Sequence, residues 1–257
     1  MQAPERRRGR DRSNSAFGML TNLKKEEFVS IEAWRASFIE LLAAAVFVFL
    51  GAGSVIVTGS LTGGELTVPR LFTIALAHGL AIAFLAFATA NVSGGHMNPA
   101  VTLAAVMTKK ITGARGLMFV AAQLTGAVIG ALLLLATIPE AADTNLGAHA
   151  LGPDVTITMG LIMEIVVTFI LVFVIFATAV DPGGIAPLAP LAIGFAVLVD
   201  HLVAVPITGA SMNPARSFGP ALVSGEWADH WIYWLGPLLG GLIAGVMYQV
   251  VFINRPR

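Results

Sequence analysis

The sequence predicts an all-α membrane protein, an inverted repeat with six transmembrane helices and two re-entrant half-helices. Hydrophobic residues make up 56% of the 257 residues and charged residues 12%, a composition that no ordinary soluble domain of this length needs. The tetrapeptide Met-Asn-Pro-Ala occurs at 97–100 and again at 212–215. The composition therefore indicates the bilayer as solvent, and the repeated motif indicates a duplicated membrane unit.

Six apolar runs are long enough to cross a membrane, because a hydrocarbon core of about 30 Å takes roughly 20 helical residues. The first run follows a polar, Arg-rich leader and is too long to be a cleaved signal sequence. We therefore expect six spanning helices. They are predicted at 38–57, 71–90, 117–138, 159–180, 186–205 and 231–252.

The charged residues indicate an orientation. Most lysine and arginine residues precede span one, lie between spans two and three or follow span six, and cytoplasmic loops near span ends collect positive charge. The opposite side carries the acidic loop 139–154. We therefore expect both termini in the cytosol, and we interpret the leader MQAPERRRGRDRSN as a disordered, topogenic tail.

The composition also excludes classes of function. The formal net charge is zero, which gives no indication of a nucleic-acid partner. The chain has no cysteine, which excludes disulfides, thiol catalysis and Cys-ligated metal. The five histidines show no spacing typical of a metal triad, and no nucleophile lies beside a base, so we expect neither a metal, a cofactor nor an enzyme.

The second half of the chain repeats the first. The segment FIELLAAAVFVFLG around Glu40 is similar to IMEIVVTFILVFVI around Glu164, and GAVIGALLLL at 126–135 is similar to GGLIAGVMYQ at 240–249. Each copy contains three crossings, an odd number, so the second copy must enter the membrane upside down. Transport proteins built in this way carry their functional site near the midplane, where the copies meet.

Each copy also contains a helix that is too short to span the membrane. Asparagine is a favoured N-cap and proline is favoured at the first helical position, so each motif starts a helix. The first ends at Thr108 and the second near Val223, after on the order of 16 Å, about half the membrane. Two such half-helices entering from opposite sides make one further crossing, and their irregular backbone must be buried in protein or line a wet cavity. The motif residues are Asn98, Pro99, Ala100, Asn213, Pro214 and Ala215.

The segments HMNPAVT at 96–102 and SMNPARSFGPA at 211–221, together with Glu40 and Glu164, resemble the major intrinsic protein family, the aquaporins. The resemblance implies an aquaporin-like right-handed bundle, a homotetramer with one pore in each protomer, and passive passage of water or small neutral solutes. The implied organisation is a cytosolic tail at 1–33, a channel domain at 34–252 with repeats at 34–138 and 156–252, and a cytosolic tail at 253–257.

The residues themselves support a pore mechanism beside the resemblance. Both half-helix N-termini carry partial positive charge, and Asn98 and Asn213 are expected to point amide donors into the lumen. A water molecule at mid-pore then donates outward on both sides, so a proton chain is interrupted there and cations are repelled. Arg216 shares the helical face of Asn213, one turn further out, and a lone arginine inside a membrane is functional by default.

Two histidines lie at the depth of Arg216. From depth alone, His78 and His201 are each either a hydrogen-bonded structural histidine or a pore-lining residue. The resemblance places His78, His201, Ala210 and Arg216 at the four constriction positions of the family. Histidine at both of the first two positions is similar to the hybrid intrinsic proteins of early-diverging land plants, between tonoplast and plasma-membrane types.

The resemblance implies roles for further polar residues. His96 is expected to line the cytosolic vestibule, and the structural buried acids Glu40 and Glu164 are expected to accept hydrogen bonds from the re-entrant backbone. His149 has the loop position of a histidine that joins the filter in some tonoplast members, and the alternative is a solvated loop histidine. Asp200 replaces a small residue, and the sequence suggests no partner for it.

Water is the main expected solute. The four constriction positions carry three polar side chains and one methyl group, so the constriction has no apolar wall against which the carbon backbone of a polyol could pack. Ammonia, hydrogen peroxide and urea are further candidates, since two histidines need not narrow the pore as a phenylalanine would.

The alternative function is a proton-coupled small-solute transporter in which Glu40, Asp200 and Glu164 relay protons. The sequence leaves the vacuolar and the plasma membrane open. Residues that match the water-type members are Ser217, Ala221, Tyr233 and Trp234.

Overall fold

The computed structural model describes residues 25–139 and 141–254, and within these ranges the chain is helical with no β-strand. In the part of the chain that the structure describes, six helical segments are long and apolar enough to cross a membrane. This confirms the predicted all-α membrane class with six spans and two shorter helices. The helices are α1 (Ile31–Leu61), α2 (Val68–Ser93), α3 (Pro99–Met107), α4 (Gly113–Thr137), α5 (Ile157–Ile175), α6 (Ala189–Thr208), α7 (Pro214–Ser224) and α8 (Ile232–Tyr248).

Shorter helical segments connect or extend these helices. The chain runs into α1 through a 3₁₀ turn, and a second 3₁₀ segment covers the loop after α4. A single π turn continues each of α5 and α8. The 3₁₀ segments are Lys25–Val29, Ala142–Gly147 and Ala186–Leu188, and the π turns are Phe176–Val180 and Gln249–Ile253.

The helices begin where polar caps allow rather than where the apolar runs begin. The first helix starts at Ile31, seven residues before the predicted span, because Ser30 Oγ accepts a hydrogen bond from Ala33 N and caps it. Before this cap, Glu27 forms an ion pair with Arg115 at the start of α4, 2.7 Å apart. The predicted disordered leader at 1–14 lies outside the described residues.

The first and third spanning helices touch backbone to backbone in each repeat. A Cβ on Gly126 of α4 would overlap the carbonyl of Leu41 in α1, and a Cβ on Gly240 of α8 would overlap the carbonyl of Ile165 in α5. Small residues allow such close approach between helices in a membrane. Leu41 and Ile165 directly follow the repeated glutamates, so the two contacts are repeat equivalents.

The half-helices are exchanged between the repeats. Helix α3 of repeat one packs against α8, and α7 of repeat two packs against α4. Glycines again mark the contacts, because a Cβ on Gly219 would overlap the Ala127 backbone and one on Gly241 would lie 3.1 Å from the Ala100 oxygen. The two repeats therefore interlock as one body around the half-helices.

The distribution of large side chains is that of a protein in lipid. Phe38, Phe84 and Phe195 are each about half exposed on spanning helices, whereas many of the fully buried positions carry alanine. Lipid is as apolar as a protein core, so large apolar residues face it without penalty and small residues pack the helices together. The bundle is therefore an integral membrane protein.

The close helix contacts generate the first prediction. Gly240→Ala places a methyl group against the Ile165 backbone, so we expect the free energy of unfolding to fall by about 1–3 kcal/mol. The matched control is Gly183→Ala, whose Cβ would meet only the Asp181 side chain at 3.4 Å. Thermal unfolding in detergent measures both variants, and equal midpoints for them would contradict the proposed contact.

Candidate functional site

A cavity of about 610 Å³ runs into the bundle from the end that holds residues 25–29, here called the inner end. Lys110 and Pro187 lie among the residues lining it, and at its deep end it reaches Asn98, Asn213 and His201. The cavity therefore connects one side of the bundle with the region where the two half-helices begin.

The two motif asparagines cap their helices and bind each other's repeat. Asn98 Oδ1 accepts from the backbone N–H two residues further on at 2.8 Å, and Asn213 Oδ1 does the same at 3.0 Å. Asn98 Nδ2 donates to Met212 O at 2.8 Å, and Asn213 Nδ2 donates to Met97 O at 2.9 Å. The half-helix N-termini thus meet tip to tip, and each amide keeps a second N–H.

Glu40 holds the first re-entrant segment. Its fully buried carboxylate accepts hydrogen bonds from Ser93 Oγ at 2.6 Å, His96 N at 2.9 Å and Met97 N at 2.6 Å. Gln123 Nε2, which the sequence analysis did not single out, donates a fourth bond of 2.7 Å from α4. The sequence feature that could have identified Gln123 is its position as an amide side chain within an apolar span.

Glu164 holds the second re-entrant segment in the same way. Its carboxylate accepts from Thr208 Oγ1 at 2.6 Å, Ser211 N at 2.9 Å and Met212 N at 2.8 Å. Neither acid is exposed to solvent. Each carboxylate therefore satisfies two backbone N–H groups that have no helical partner at this depth.

The structure brings His78, His201 and Arg216 together. The two imidazole rings are tilted by 31° with centroids 4.2 Å apart. Each Nδ1 lies within 2.9 Å of the carbonyl four residues earlier in its helix, so Nδ1 carries the proton and Nε2 is left as an acceptor. Arg216 Nε makes a long contact of 3.5 Å with His78 Nε2.

Arg216 and Ala210 are fixed by the backbone around them. Arg216 is 2% exposed, and its Nη1 donates to Gly147 O at 3.0 Å, where the outer 3₁₀ segment crosses the bundle. Ala210 is buried with a φ of +62°, in the left-handed region that its repeat equivalent Gly95 occupies at +67°. The four expected constriction positions are therefore all buried within the outer half of the bundle.

His149 is buried rather than solvated, so the simple solvated alternative is wrong. It is 6% exposed, and its Nδ1 lies 2.7 Å from Ser217 Oγ, the residue after Arg216. Ser217 Oγ is in turn 2.6 Å from Ser211 Oγ in the re-entrant segment. Burial first, and then the positive charge of Arg216, hold the pKa of His149 well below its usual value. His149 is therefore neutral at pH 7.

His96 lies on the inner side of the motifs and lines the cavity. Its Nδ1 is 3.1 Å from Thr102 Oγ1, and its ring meets the edge of Phe119 at 5.3 Å. Thr102 also accepts a hydrogen bond from Gln123. The His96 and Thr102 pair is the repeat equivalent of the Ser211 and Ser217 pair.

Asp200 is 3% exposed, and among the described residues its Oδ2 has no hydrogen-bond partner. A proton relay through Glu40, Asp200 and Glu164 needs hydrogen bonds that link the acids. The bonds found for Glu40 and Glu164 run instead to their own re-entrant segments and, for Glu40, to Gln123. Within the described part of the chain, no group of three histidine or acidic residues could hold a metal ion.

Comparison with known proteins shows the family to which the chain belongs. A family model described as "Major intrinsic protein" matches residues 27–248. The chain is 48% identical to "Aquaporin TIP4-4" of Zea mays, over 86% of this chain and 88% of that protein. It is 45% identical to "Aquaporin-4" of Homo sapiens, over 85% of this chain and 68% of that protein.

A solved structure shares the fold. The X-ray structure of the aquaglyceroporin from Plasmodium falciparum superposes with a TM-score of 0.74, covering 85% of this chain and 96% of that one, at 24% sequence identity. The fold and the matches together define an integral, multi-pass membrane channel, not an enzyme. The chain belongs to the major intrinsic protein family, the aquaporins, and the alternative of a proton-coupled transporter is not favoured.

The buried state of His149 generates a pH prediction. Its pKa is lowered in the folded chain, so between 6.5 and that lower value the unfolded chain binds the proton and the folded chain does not. The contribution of neutral His149 to the free energy of unfolding is therefore complete above pH 6.5 and is lost as the pH falls below that value. We expect the thermal midpoint to drop between about pH 7 and pH 5, and to drop less in His149→Gln. Identical pH profiles would contradict this.

Proposed function

We propose that the chain is a passive water channel whose lumen runs from the inner cavity, past Asn98 and Asn213, to a constriction at His78, His201 and Arg216 with Ala210 as the fourth position. One observation carries the proposal: the cavity passes the two motif amides, where the half-helix N-termini meet, and reaches His201. A narrow polar point at mid-depth is what a selective water pathway needs.

The amides supply the orientation of water at that point. Each motif asparagine uses one N–H for the opposite repeat, and its second N–H is left to donate to water, because both residues line the cavity. A water that accepts from both amides donates its hydrogens outward, so no continuous proton chain forms. The positive ends of α3 and α7 converge on the same point and repel cations.

The outer constriction supplies the selectivity for small polar solutes. His201 Nε2 is buried and, among the described residues, has no protein partner, so it is available to accept from a passing water. The Arg216 guanidinium is a donor on the opposing side, and Ala210 contributes only a methyl group. Such a ring favours water over a polyol, whose carbon backbone would be desolvated against polar groups.

The same ring admits other small neutral molecules. Ammonia, hydrogen peroxide and urea remain candidates beside water, because imidazoles leave more room than a phenylalanine ring. His149 extends the polar lining outward through Ser217 and Ser211. His96 forms part of the wider vestibule on the inner side.

We propose a homotetramer with both termini in the cytosol, a channel domain at 34–252 with repeats at 34–138 and 156–252, and tails at 1–33 and 253–257. Membrane lipids cover the outward apolar faces of the spanning helices. The likeness to TIP-type relatives favours the vacuolar membrane over the plasma membrane.

Flux measurements test the channel mechanism. Proteoliposomes that contain the chain are expected to shrink in proportion to the osmotic gradient, with a lower activation energy than protein-free liposomes, because water crosses without a conformational cycle. Stopped-flow light scattering measures the rate. Saturable uptake that requires a pH gradient would instead support the transporter and overturn the proposal.

The constriction residues generate a second flux prediction. We expect His78→Phe to lower ammonia permeability relative to water permeability by about tenfold, the size of effect that one changed pocket contact produces. His201→Ile removes the Nε2 acceptor and is expected to lower water permeability. Stopped-flow swelling and ammonia uptake in the same proteoliposomes measure both. Unchanged permeability ratios in both variants would remove these histidines from the filter.

A further inference from the structure

Gly51 lies in α1 directly against the imidazole of His78. A Cβ on Gly51 would be 2.6 Å from His78 Nε2 and 2.7 Å from His78 Cδ2, well inside van der Waals contact. The backbone does not require glycine here, because Gly51 is an interior helical residue without a positive φ. Glycine is about 1 kcal/mol less favourable than alanine in such a position. Its presence therefore points to packing against the ring.

The other neighbours of the His78 ring leave one direction for movement. Phe47, one turn before Gly51 on α1, meets the ring edge-on with centroids 5.8 Å apart. The His78 ring also lies against the His201 ring, with centroids 4.2 Å apart, and Arg216 Nε lies 3.5 Å from its Nε2. A group added at Gly51 therefore drives the ring toward the constriction.

Helix α2 cannot relieve such a clash by moving away from α1. On its far side it already touches α6, where a Cβ on Gly79 would lie 2.7 Å from Gly194 O and a Cβ on Gly194 would lie 2.6 Å from Gly79 O. Gly79 is the residue after His78, so the contact is at the level of the ring. The strain falls on the side chain and not on the helix.

The inverted repeat provides an internal comparison. When the repeats are aligned on the two glutamates, Gly51 corresponds to Ile175. When they are aligned on the two Met-Asn-Pro-Ala motifs, His78 corresponds to Ile193. Both isoleucines line the wide inner cavity. A bulky residue at the Gly51 position therefore occurs in the repeat that carries no ring at the His78 position, whereas the repeat with the ring has glycine.

We propose that Gly51 is a positioning residue that sets the width of the constriction, an inference that rests on the proposed filter role of His78, His201 and Arg216. The absent side chain leaves a recess for the imidazole. A methyl group there displaces the ring by about 1 Å, the difference between 2.6 Å and van der Waals contact. A water molecule has a radius of about 1.4 Å, so this displacement obstructs a single-file lumen.

The test compares Gly51→Ala with Gly53→Ala in proteoliposomes of matched protein content. The control residue lies two positions on in the same helix, and its Cβ would meet only the flexible ends of Leu134 and Ile138. We expect Gly51→Ala to lower water permeability by about tenfold, with a thermal midpoint close to that of the control, and Gly53→Ala to conduct like the wild type.

A rescue experiment separates positioning from a general structural effect. In Gly51→Ala/His78→Ala the ring is absent, so the methyl group has nothing to displace, and we expect permeability equal to that of His78→Ala alone. A purely structural defect would persist in the double variant. If Gly51→Ala is not recovered as folded protein, recovery of a folded, conducting double variant supports the inference, and failure of the double variant overturns it.

The remaining outcomes distinguish this inference from the proposed function. A wild type that conducts water, together with a folded Gly51→Ala that conducts equally well, overturns the role of Gly51 and leaves the channel intact. A wild type no more permeable than protein-free liposomes overturns the channel and this inference with it.

Discussion

The structure depends on the hydrogen bonds that two buried carboxylates accept from backbone at mid-membrane depth. No lipid-facing backbone can stay unpaired in hydrocarbon, so a chain that leaves the helical state there needs acceptors within the protein. Glu40 and Glu164 provide them for the segments before the two half-helices. Because each acid stands on the first spanning helix of its repeat, the same bonds fix where each half-helix starts.

The exchange of half-helices then joins the repeats into one unit. Each half-helix packs against the third spanning helix of the other repeat, and each motif asparagine donates to a carbonyl across the boundary. Neither repeat can therefore bury its re-entrant segment alone. The meeting point of the two N-termini lies on the axis that relates the repeats, which is why the proposed lumen passes there.

The sequence predicts the features that depend on local or repeated signals. Asn98 and Asn213 cap their helices as their motifs predict, since an N-cap is a local property. The apolar run predicts a later start for α1 than the structure shows, because its first turns depend on Ser30 and on the Glu27 ion pair, which a hydropathy window does not register. The burial of His149 depends on a loop folding over α7, and no periodicity encodes that contact. The pore roles of the histidines stay predictions.

The repeat symmetry also explains why the proposed constriction lies on one side only. The position one turn after the motif asparagine is Val101 in the first repeat and Arg216 in the second. The position equivalent to His201 is Ala86, and both Ala86 and Val101 line the inner cavity. At these positions the same backbone arrangement thus carries small or aliphatic side chains in the inner half, and imidazole and guanidinium groups in the outer half. Width and selectivity therefore follow from side chains placed on equivalent backbones, and the glycine at 51 belongs to the same substitution pattern.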